Sequence, residues 1–335
     1  MPPSSVQASA TPPIPALHAT VVGMAGRRST RRMLEAIAAS TPELEWPRVV
    51  VLLSRGETRA DGSDEVRSWS EVLSSVHPDS VVVAPSDDQQ LLDAVRVSGA
   101  RVVTFGTDAP ADVRAHGLVA RSSGTEFTVS AAGESRHVSL ALLGEHLAAN
   151  ALAAFAAATG AGVALETAIH AVSSLGDVGE GVMRPLSRRD GTLVIDDSAS
   201  ASAVSVVAAL KALAMFGTEG RRTVAVLGPL DAPGALSREE LREAHDRIGR
   251  MIVRLGLSQA IVVGDDARHI HNAAGLEGSW NGESVLVSTA SEAYDRVRDD
   301  LGPDDVVLLK LAGVPGAEDV VSALRTREAT GGRVR

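Results

Sequence analysis

The stretch TVVGMAGRRSTRRMLEAIAAS, residues 20–40, decides the reading of the fold. Thr20 to Gly23 is a short β-branched run ending in glycine, which reads as a buried strand running into a turn. Ser29 to Ser40 then places apolar residues at helical spacing, with Ser29 or Thr30 near the N-terminal cap. Between them, Gly23 and Gly26 bracket a turn that leads into Arg27 and Arg28. Such a loop cradles phosphate when its glycines free the backbone N–H groups, a Lys reaches the terminal phosphate and a Ser or Thr hydroxyl holds magnesium. Here Arg27 stands at the Lys position and Arg28 at the hydroxyl position. A guanidinium is bulkier than an ammonium and prefers a bidentate grip. From these residues alone, a plain strand–turn–helix and an anion site both remain open.

Working outward, Arg48 to Leu53 (RVVVLL), Val81 to Val83 and Val102 to Phe105 read as further strands, with a helix from Gln89 to Val97. Strand and helix in alternation predict a parallel α/β sheet. From Gly124 to Leu143 the pattern shortens to alternating segments, and Gly133 with Glu134 marks a hairpin turn. An Ala-rich helix is expected from Gly144 to Thr159 and another from Leu165 to Leu175. SLGDVGEGV, residues 174–182, reads as a hinge. After Gly191 the rhythm restarts, with strands at Thr192–Ile195, Thr223–Leu227, Gln259–Val263, Ser284–Val287 and Val306–Leu309. Helices fall between them, including Ser237–Leu255, and Ala317–Arg325 follows the last. The expected organisation is a flexible leader (1–19), a first α/β domain (20–178) and a Rossmann-like second domain (183–330).

Composition narrows the function classes. The 335 residues include four Phe, three Trp and one Tyr, so the cores must be aliphatic and base-stacking surfaces are not expected. A formal net charge of -10 likewise argues against a phosphate-backbone binder. There is no cysteine, which removes disulfides and thiol chemistry and fits a cytoplasmic protein. No apolar run has the length of a membrane span. The expectation is therefore no nucleic-acid partner and no membrane.

Single residues have bland readings beside functional ones. Arg268-His269-Ile270-His271 reads as a solvated surface turn, so no metal site is expected there. Asp87 and Asp88 read as caps for the helix near Gln89. Asn150 is a poor helix former inside an Ala-rich helix, which suggests a purpose, if only an interhelix hydrogen bond. Asp197 ends a buried strand, where a carboxylate either lines a ligand crevice or serves the fold. His245 sits in a charged helix, where a surface place is the default.

Five segments, in order along the chain, resemble the Mur ligase family. VVGMAGRRSTRRMLEAI (21–37) resembles its TGxxGKTST loop and helix, and ALLGEHLAANALAAFAAATGAG (141–162) is similar to its GxHNxxNALAA helix. TLVIDDSASASAVSVVAALKAL (192–213), RTVAVLGPLDAPG (222–234) with EAHDRIGR (243–250), and VVLLKLAGVPGAEDVV (306–321) resemble segments of the C-terminal domain in the D-alanyl-D-alanine-adding branch. The resemblance implies a shortened P-loop-like central domain and a Rossmann-like C-terminal domain. It implies a nucleotide site at Gly23, Gly26, Arg27, Ser29, Thr30, His146, Asn150 and Asp197, with Asn150 facing adenine and Asp197 the ribose. It also puts His245 and Lys310 in the cleft from the C-terminal domain. The cofactors it implies are ATP and Mg²⁺, and the reaction an amide ligation through an acyl phosphate.

The departures from the family pattern are specific. On this resemblance the family's UDP-sugar-holding N-terminal domain is expected to be absent, and so is the stretch carrying its magnesium-binding Glu and His. Ser198 to Ala203 (SASASA) stands where NDSYNANP would continue, and Leu311, Ala312 and Gly313 replace the last three residues of KGSR. Losing charge-neutralising groups from a phosphoryl transfer raises its barrier by several kcal/mol, on the order of a thousandfold in rate. The expected function is thus a degenerate, accessory Mur-ligase-like protein that binds a partner enzyme or a small ligand in the interdomain cleft. Two alternatives stand: an active ATP-dependent amide ligase using Arg27 with Ser29 or Thr30, and a nucleotide sensor without turnover. None of the three assigns catalytic residues.

Overall fold

The computed structural model describes residues 17–326 except 24, 56, 60–65, 108–109, 189, 232–236 and 299. Most of the expected leader, residues 1–16, lies outside the described residues. The first half runs β1 (Ala19–Val22), α1 (Arg27–Ala39), β2 (Val49–Leu52), β3 (Glu57–Arg59), β4 (Val66–Ser68), α2 (Trp69–Ser74), β5 (Val81–Pro85), α3 (Gln89–Val97) and β6 (Arg101–Gly106). It continues through β7 (Val113–Arg121), β8 (Gly124–Ala131), β9 (Glu134–Leu140), α4 (Glu145–Gly160) and α5 (Leu165–Ser173).

Seven of these strands form one sheet in the order β1-β2-β5-β6-β7-β8-β9. It is parallel from β1 to β7 and antiparallel from β7 to β9. The valine runs of β2 and β5 are buried along nearly all their length, as strands covered on both faces must be. β1 lies at the sheet edge, so Thr20 is exposed while Val21 and Val22 are enclosed. The expected hairpin is present, with its turn one residue earlier than Gly133–Glu134. Ala132 (φ 51°) and Gly133 (φ 83°) both take the left-handed conformation that a two-residue turn between β8 and β9 requires.

α4 is the spine of this half. Leu147, Ala148, Ala151 to Ala158 and Gly160 are buried on it, because alanines let it approach α1, β5, β6 and β7 together. A Cβ at Gly160 would stand 2.6 Å from Val81 Cγ1, so the helix end closes on the sheet only with glycine there. Phe155, fully buried at its middle, contributes about 2–3 kcal/mol through burial alone.

The second half runs β10 (Arg184–Ser187), β11 (Leu193–Asp196), α6 (Ala203–Thr218), β12 (Arg222–Leu227), α7 (Arg238–Arg254), β13 (Gln259–Val263), α8 (Arg268–Gly275), β14 (Glu283–Val287), α9 (Ala290–Arg298), β15 (Asp305–Lys310) and α10 (Ala317–Thr326). Its sheet order is β10-β11-β15-β12-β13-β14, parallel except for β10 on β11. α7 starts with a full capping box, Ser237 and Glu240 each bonding the other's backbone. The Arg268–His271 segment, expected as a surface turn, is instead the first turn of α8. Ile270 is buried there and His271 Nδ1 lies 2.9 Å from Ser284 Oγ.

The two halves share a core. One apolar cluster runs from Val21 and Leu147 through Ile195, Leu210 and Phe216. α6 packs on both α4 and β7, and the Ser122 amide donates to Glu219 Oε1 at 3.2 Å. In the glycine-rich connection, Gly181 (φ 65°) and Met183 (φ 44°) are left-handed. Met183 is a non-glycine residue in that region, and the backbone strain it carries is offset by the bond to Asp197 described below.

Candidate functional site

A cleft of about 400 Å³ opens where the start of α1, the start of α4 and the loop after β11 meet. It lies beyond the carboxyl ends of parallel strands, the usual ligand position in such sheets, and its size suits a small molecule. Of the expected site residues, Gly26, Arg27, Ser29, His146, Asn150 and Asp197 line it. Gly23, Thr30, Lys310 and His245 are buried behind its walls.

The loop takes its form from two glycines. A Cβ at Gly23 would come within 2.9 Å of Leu53 Cβ. Gly26, left-handed at φ 82°, is the N-cap of α1, and a Cβ on it would collide with the Asn150 amide. The helix therefore begins at Arg27, ahead of the expected cap at Ser29 or Thr30. Ser29 lies inside the first turn and its Oγ donates back to the Gly26 carbonyl at 3.0 Å, so it caps no N–H group. Asn150 Nδ2 donates to the same Oγ at 2.8 Å, which supplies the interhelix hydrogen bond expected of it. Thr30 is fully buried and its hydroxyl has no partner among the described residues. Arg28 is exposed on the rim, with no ion pair among the described residues, at the N-terminus of a helix with no acidic residue in its first turn.

The opposite wall is held from behind by Lys310. Its ammonium, fully enclosed, lies 2.8 Å from Asp197 Oδ2, donates to Ser205 Oγ at 2.7 Å and donates to the Ser200 carbonyl. All three N–H groups are thus engaged, so Lys310 shapes the cleft without reaching it. Asp197 Oδ1 also accepts from the Met183 amide at 3.1 Å, which clamps the left-handed connection. Burial pushes the Asp197 carboxyl above its usual range against the pull of Lys310 and Met183. His146 moves the other way: burial first, then the Lys310 ammonium, lowers it to about 4, so it faces the cleft as a neutral ring at pH 7.

His245 is not at the surface. It is buried, and its Nε2 accepts the Leu230 amide at 3.1 Å, which leaves the proton on Nδ1. Burial lowers its basicity. It thereby anchors the loop after β12, whose Asp231 accepts the Ala201 amide at 2.9 Å and lines the cleft. Sequence reasoning missed Asp231, Ser200 and Ser205. The signal for Asp231 was its place just past a parallel strand; for the two serines there was none. Asp88 caps α3 through the Leu91 amide, as expected, and pairs with Arg55 at 2.9 Å.

The residues fit a polyphosphate better than a metal ion. The Gly26 turn, the α1 N-terminus and two guanidiniums suit an anion. At the positions the resemblance implies for magnesium, Arg28 replaces the hydroxyl residue, Thr30 is enclosed, and the Ser29 and Asp197 oxygens are engaged. Among the described residues, no group of three or more His, Cys, Asp or Glu is arranged to hold a metal. No helix among them is long and apolar enough to cross a membrane.

The Mur ligase middle domain model matches residues 66–158, and the Mur ligase, glutamate ligase domain model matches residues 183–313. The chain belongs to the Mur ligase family. The middle-domain match starts after the Gly23–Thr30 loop. Within the family, the UDP-N-acetylmuramoyl-tripeptide–D-alanyl-D-alanine ligase of Mycobacterium tuberculosis is 32% identical over 334 residues, covering 92% of this chain and 65% of that protein. The Escherichia coli ligase of the same name is 28% identical over 263 residues, covering 77% and 55%. This Mur ligase relative thus spans less than two thirds of either. Among solved structures, MurF from Acinetobacter baumannii superposes with a TM-score of 0.70 at 21% identity, over 92% of this chain and 76% of that one. MurF ligase from Thermotoga maritima, solved in complex with ADP, gives 0.70 at 16% identity, over 93% and 80%. Both halves of the fold are those of the Mur ligase middle and C-terminal domains.

Proposed function

We propose that this chain is an ATP-dependent Mur ligase-like protein whose cleft grips a nucleotide polyphosphate with Arg27 and Arg28. The observation that carries the reading is the meeting of a left-handed Gly26 turn, two arginines at the α1 N-terminus and the Asp197 carboxylate around one interdomain cleft. The α1 dipole and the guanidiniums supply positive charge where a polyphosphate would lie, and the rigid α4 backs the loop. Because Arg28 stands where the magnesium-binding hydroxyl would be, magnesium should add little to binding. The names of the relatives favour ligation of an acid to an amine, and ATP use puts the protein in the cytoplasm. Calorimetric titration with ATP and ADP, each with and without magnesium, tests the reading. Binding in both conditions, with less than about a tenfold gain from magnesium, is expected. Silence with both nucleotides at millimolar concentration would overturn it.

A second reading is an accessory paralogue that binds nucleotide, or a partner enzyme, without turnover. The observation favouring it is the engagement of Ser29 and Lys310 in internal bonds. Phosphate release from ATP in the presence of amino acid and acid substrates, by the purified chain, would remove it.

A further inference from the structure

We propose that the chain forms a two-fold dimer in which β14 of one copy pairs antiparallel with β14 of a second copy, joining their second-half sheets into one. The inference is independent of the nucleotide reading, since no residue of β14 lines the cleft. β14 is an outer strand of its sheet. Proteins blunt such edges with charge, with proline or with a covering element. The outer strands elsewhere in the two large sheets are treated in this way. β9 carries Glu134, Arg136 and His137, β10 carries Arg184 and Pro185, and β3 packs against β1. β14 reads ESVLV, with Val285 and Val287 half-buried and Leu286 exposed. Neither Val285 nor Leu286 belongs to an apolar core.

The backbone fixes the register. The Glu283 amide donates to the Ser258 carbonyl at 3.2 Å, and the Val287 carbonyl accepts the Gly264 amide at 2.9 Å. Glu283, Val285 and Val287 therefore turn their backbone groups toward β13, and by alternation Ser284 and Leu286 turn theirs outward. The Ser288 amide is taken by Glu292 Oε2 at 2.8 Å. Setting Ser284 opposite Leu286 of the second copy, and Leu286 opposite its Ser284, satisfies the outward N–H and C=O of both residues and puts Val285 on the axis.

Charge selects the antiparallel orientation. A groove of about 480 Å³ beside the strand is lined by Val285, Val287, Glu292, Asp295 and Arg296. The last three share one face of α9. Glu292 lies at the carboxyl end of β14, where it holds Ser288, and Arg296 Nη2 reaches Glu283 Oε1 at the amino end, at 3.5 Å. Asp295 is paired with Arg298 at 2.9 Å. An antiparallel neighbour brings the carboxyl end of its own β14 beside this amino end. Arg296 of each copy then meets Glu292 of the other. Parallel pairing would instead set arginine beside arginine and glutamate beside glutamate. The two-fold arrangement also closes the assembly at two copies.

Analytical ultracentrifugation of the full chain tests the proposal. The parent should show a monomer–dimer equilibrium with a Kd on the order of 10 µM, and a parent that stays monomeric up to about 500 µM would overturn it. Val285→Glu and Val285→Lys each place like charges about 5 Å apart on the axis. Each should weaken self-association at least about a hundredfold. An equimolar mixture of the two variants should restore dimers built from one copy of each, which a damaged fold could not do. Dimers retained by either variant alone, or a mixture that stays monomeric, would overturn the pairing. Arg296→Glu, on the exposed face of α9, keeps the proposal testable if the strand variants fail to fold. It sets a carboxylate beside Glu292 of the second copy and should weaken association about tenfold or more. Unchanged association in that variant would overturn the orientation.

Discussion

Replacing Lys310 with Met should destabilise the second half of the chain in a pH-dependent way. Lys310 is fully enclosed and its ammonium satisfies Asp197, Ser205 and the Ser200 carbonyl. Met fills a similar volume, so packing is nearly conserved and the loss is electrostatic. Asp197 is left buried with only the Met183 amide as partner. Removing one member of a buried pair typically costs about 3–5 kcal/mol, because the other charge stays uncompensated. Burial already raises the Asp197 carboxyl, and loss of the cation raises it further. A carboxyl raised in the folded state binds its proton more tightly there than when unfolded. Its favourable contribution is therefore full below the unfolded value and lost as pH rises through the folded one. The variant should thus lie about 3–5 kcal/mol below the parent at pH 8 and recover part of that deficit at pH 5, as Asp197 takes up its proton. Urea unfolding followed by circular dichroism at the two pH values measures it. Lys310→Met combined with Asp197→Asn should regain most of the loss at pH 8, since no charge is then stranded. A deficit under about 1 kcal/mol, or one independent of pH, would refute the reasoning.

Three further outcomes follow from the same geometry. Gly26→Ala forces a side chain into a φ of 82° and against the Asn150 amide, so it should cost at least about 1–3 kcal/mol in urea unfolding and weaken triphosphate binding in calorimetry. His146 should stay neutral in an NMR titration from pH 8 to pH 5.5, with its midpoint near 4. Because its folded value is depressed from the usual 6.5, its contribution is present above 6.5 and lost as pH falls toward 4, and His146→Gln should flatten that part of the stability profile. His245→Leu strands the buried Leu230 amide and should cost about 1–3 kcal/mol by urea unfolding, with faster exchange of that amide.

Much of the fold was legible because its signals are local. Valine runs marked β2, β5 and β6, and Gly133 marked the hairpin, since each feature depends on residues adjacent in sequence. Strand order does not, so nothing in Thr20–Gly23 announces that β1 lies at an edge. β7 escaped because a register shift between His116 and Val119, around the left-handed Gly117, breaks the alternation of VRAHGLVAR. The segment Arg268–His271 looked polar and turn-like, yet Ile270 anchors it as a helix against the core.

The candidate site was legible in its residues and not in their roles. Gly26, Arg27, Ser29, His146, Asn150 and Asp197 do meet around one cleft. What the sequence could not show is that Lys310, at the end of the β15 apolar run, commits its charge to Asp197 and to two serines from a distant segment. Nor could it show Asn150 reaching α1, because that contact depends on how closely the alanines of α4 let it approach. Resemblance supplied a set of positions, and tertiary contacts decide what each position does.

The most direct test of the central claim is ATP binding by the parent chain against the Arg27→Ala, Arg28→Ala double variant, measured by calorimetry without magnesium. The account predicts that the parent binds and that the double variant loses about a hundredfold, roughly tenfold for each charge-assisted contact removed, with the loss shrinking as salt is raised. Equal binding by the two proteins would contradict it, and so would the absence of binding by the parent.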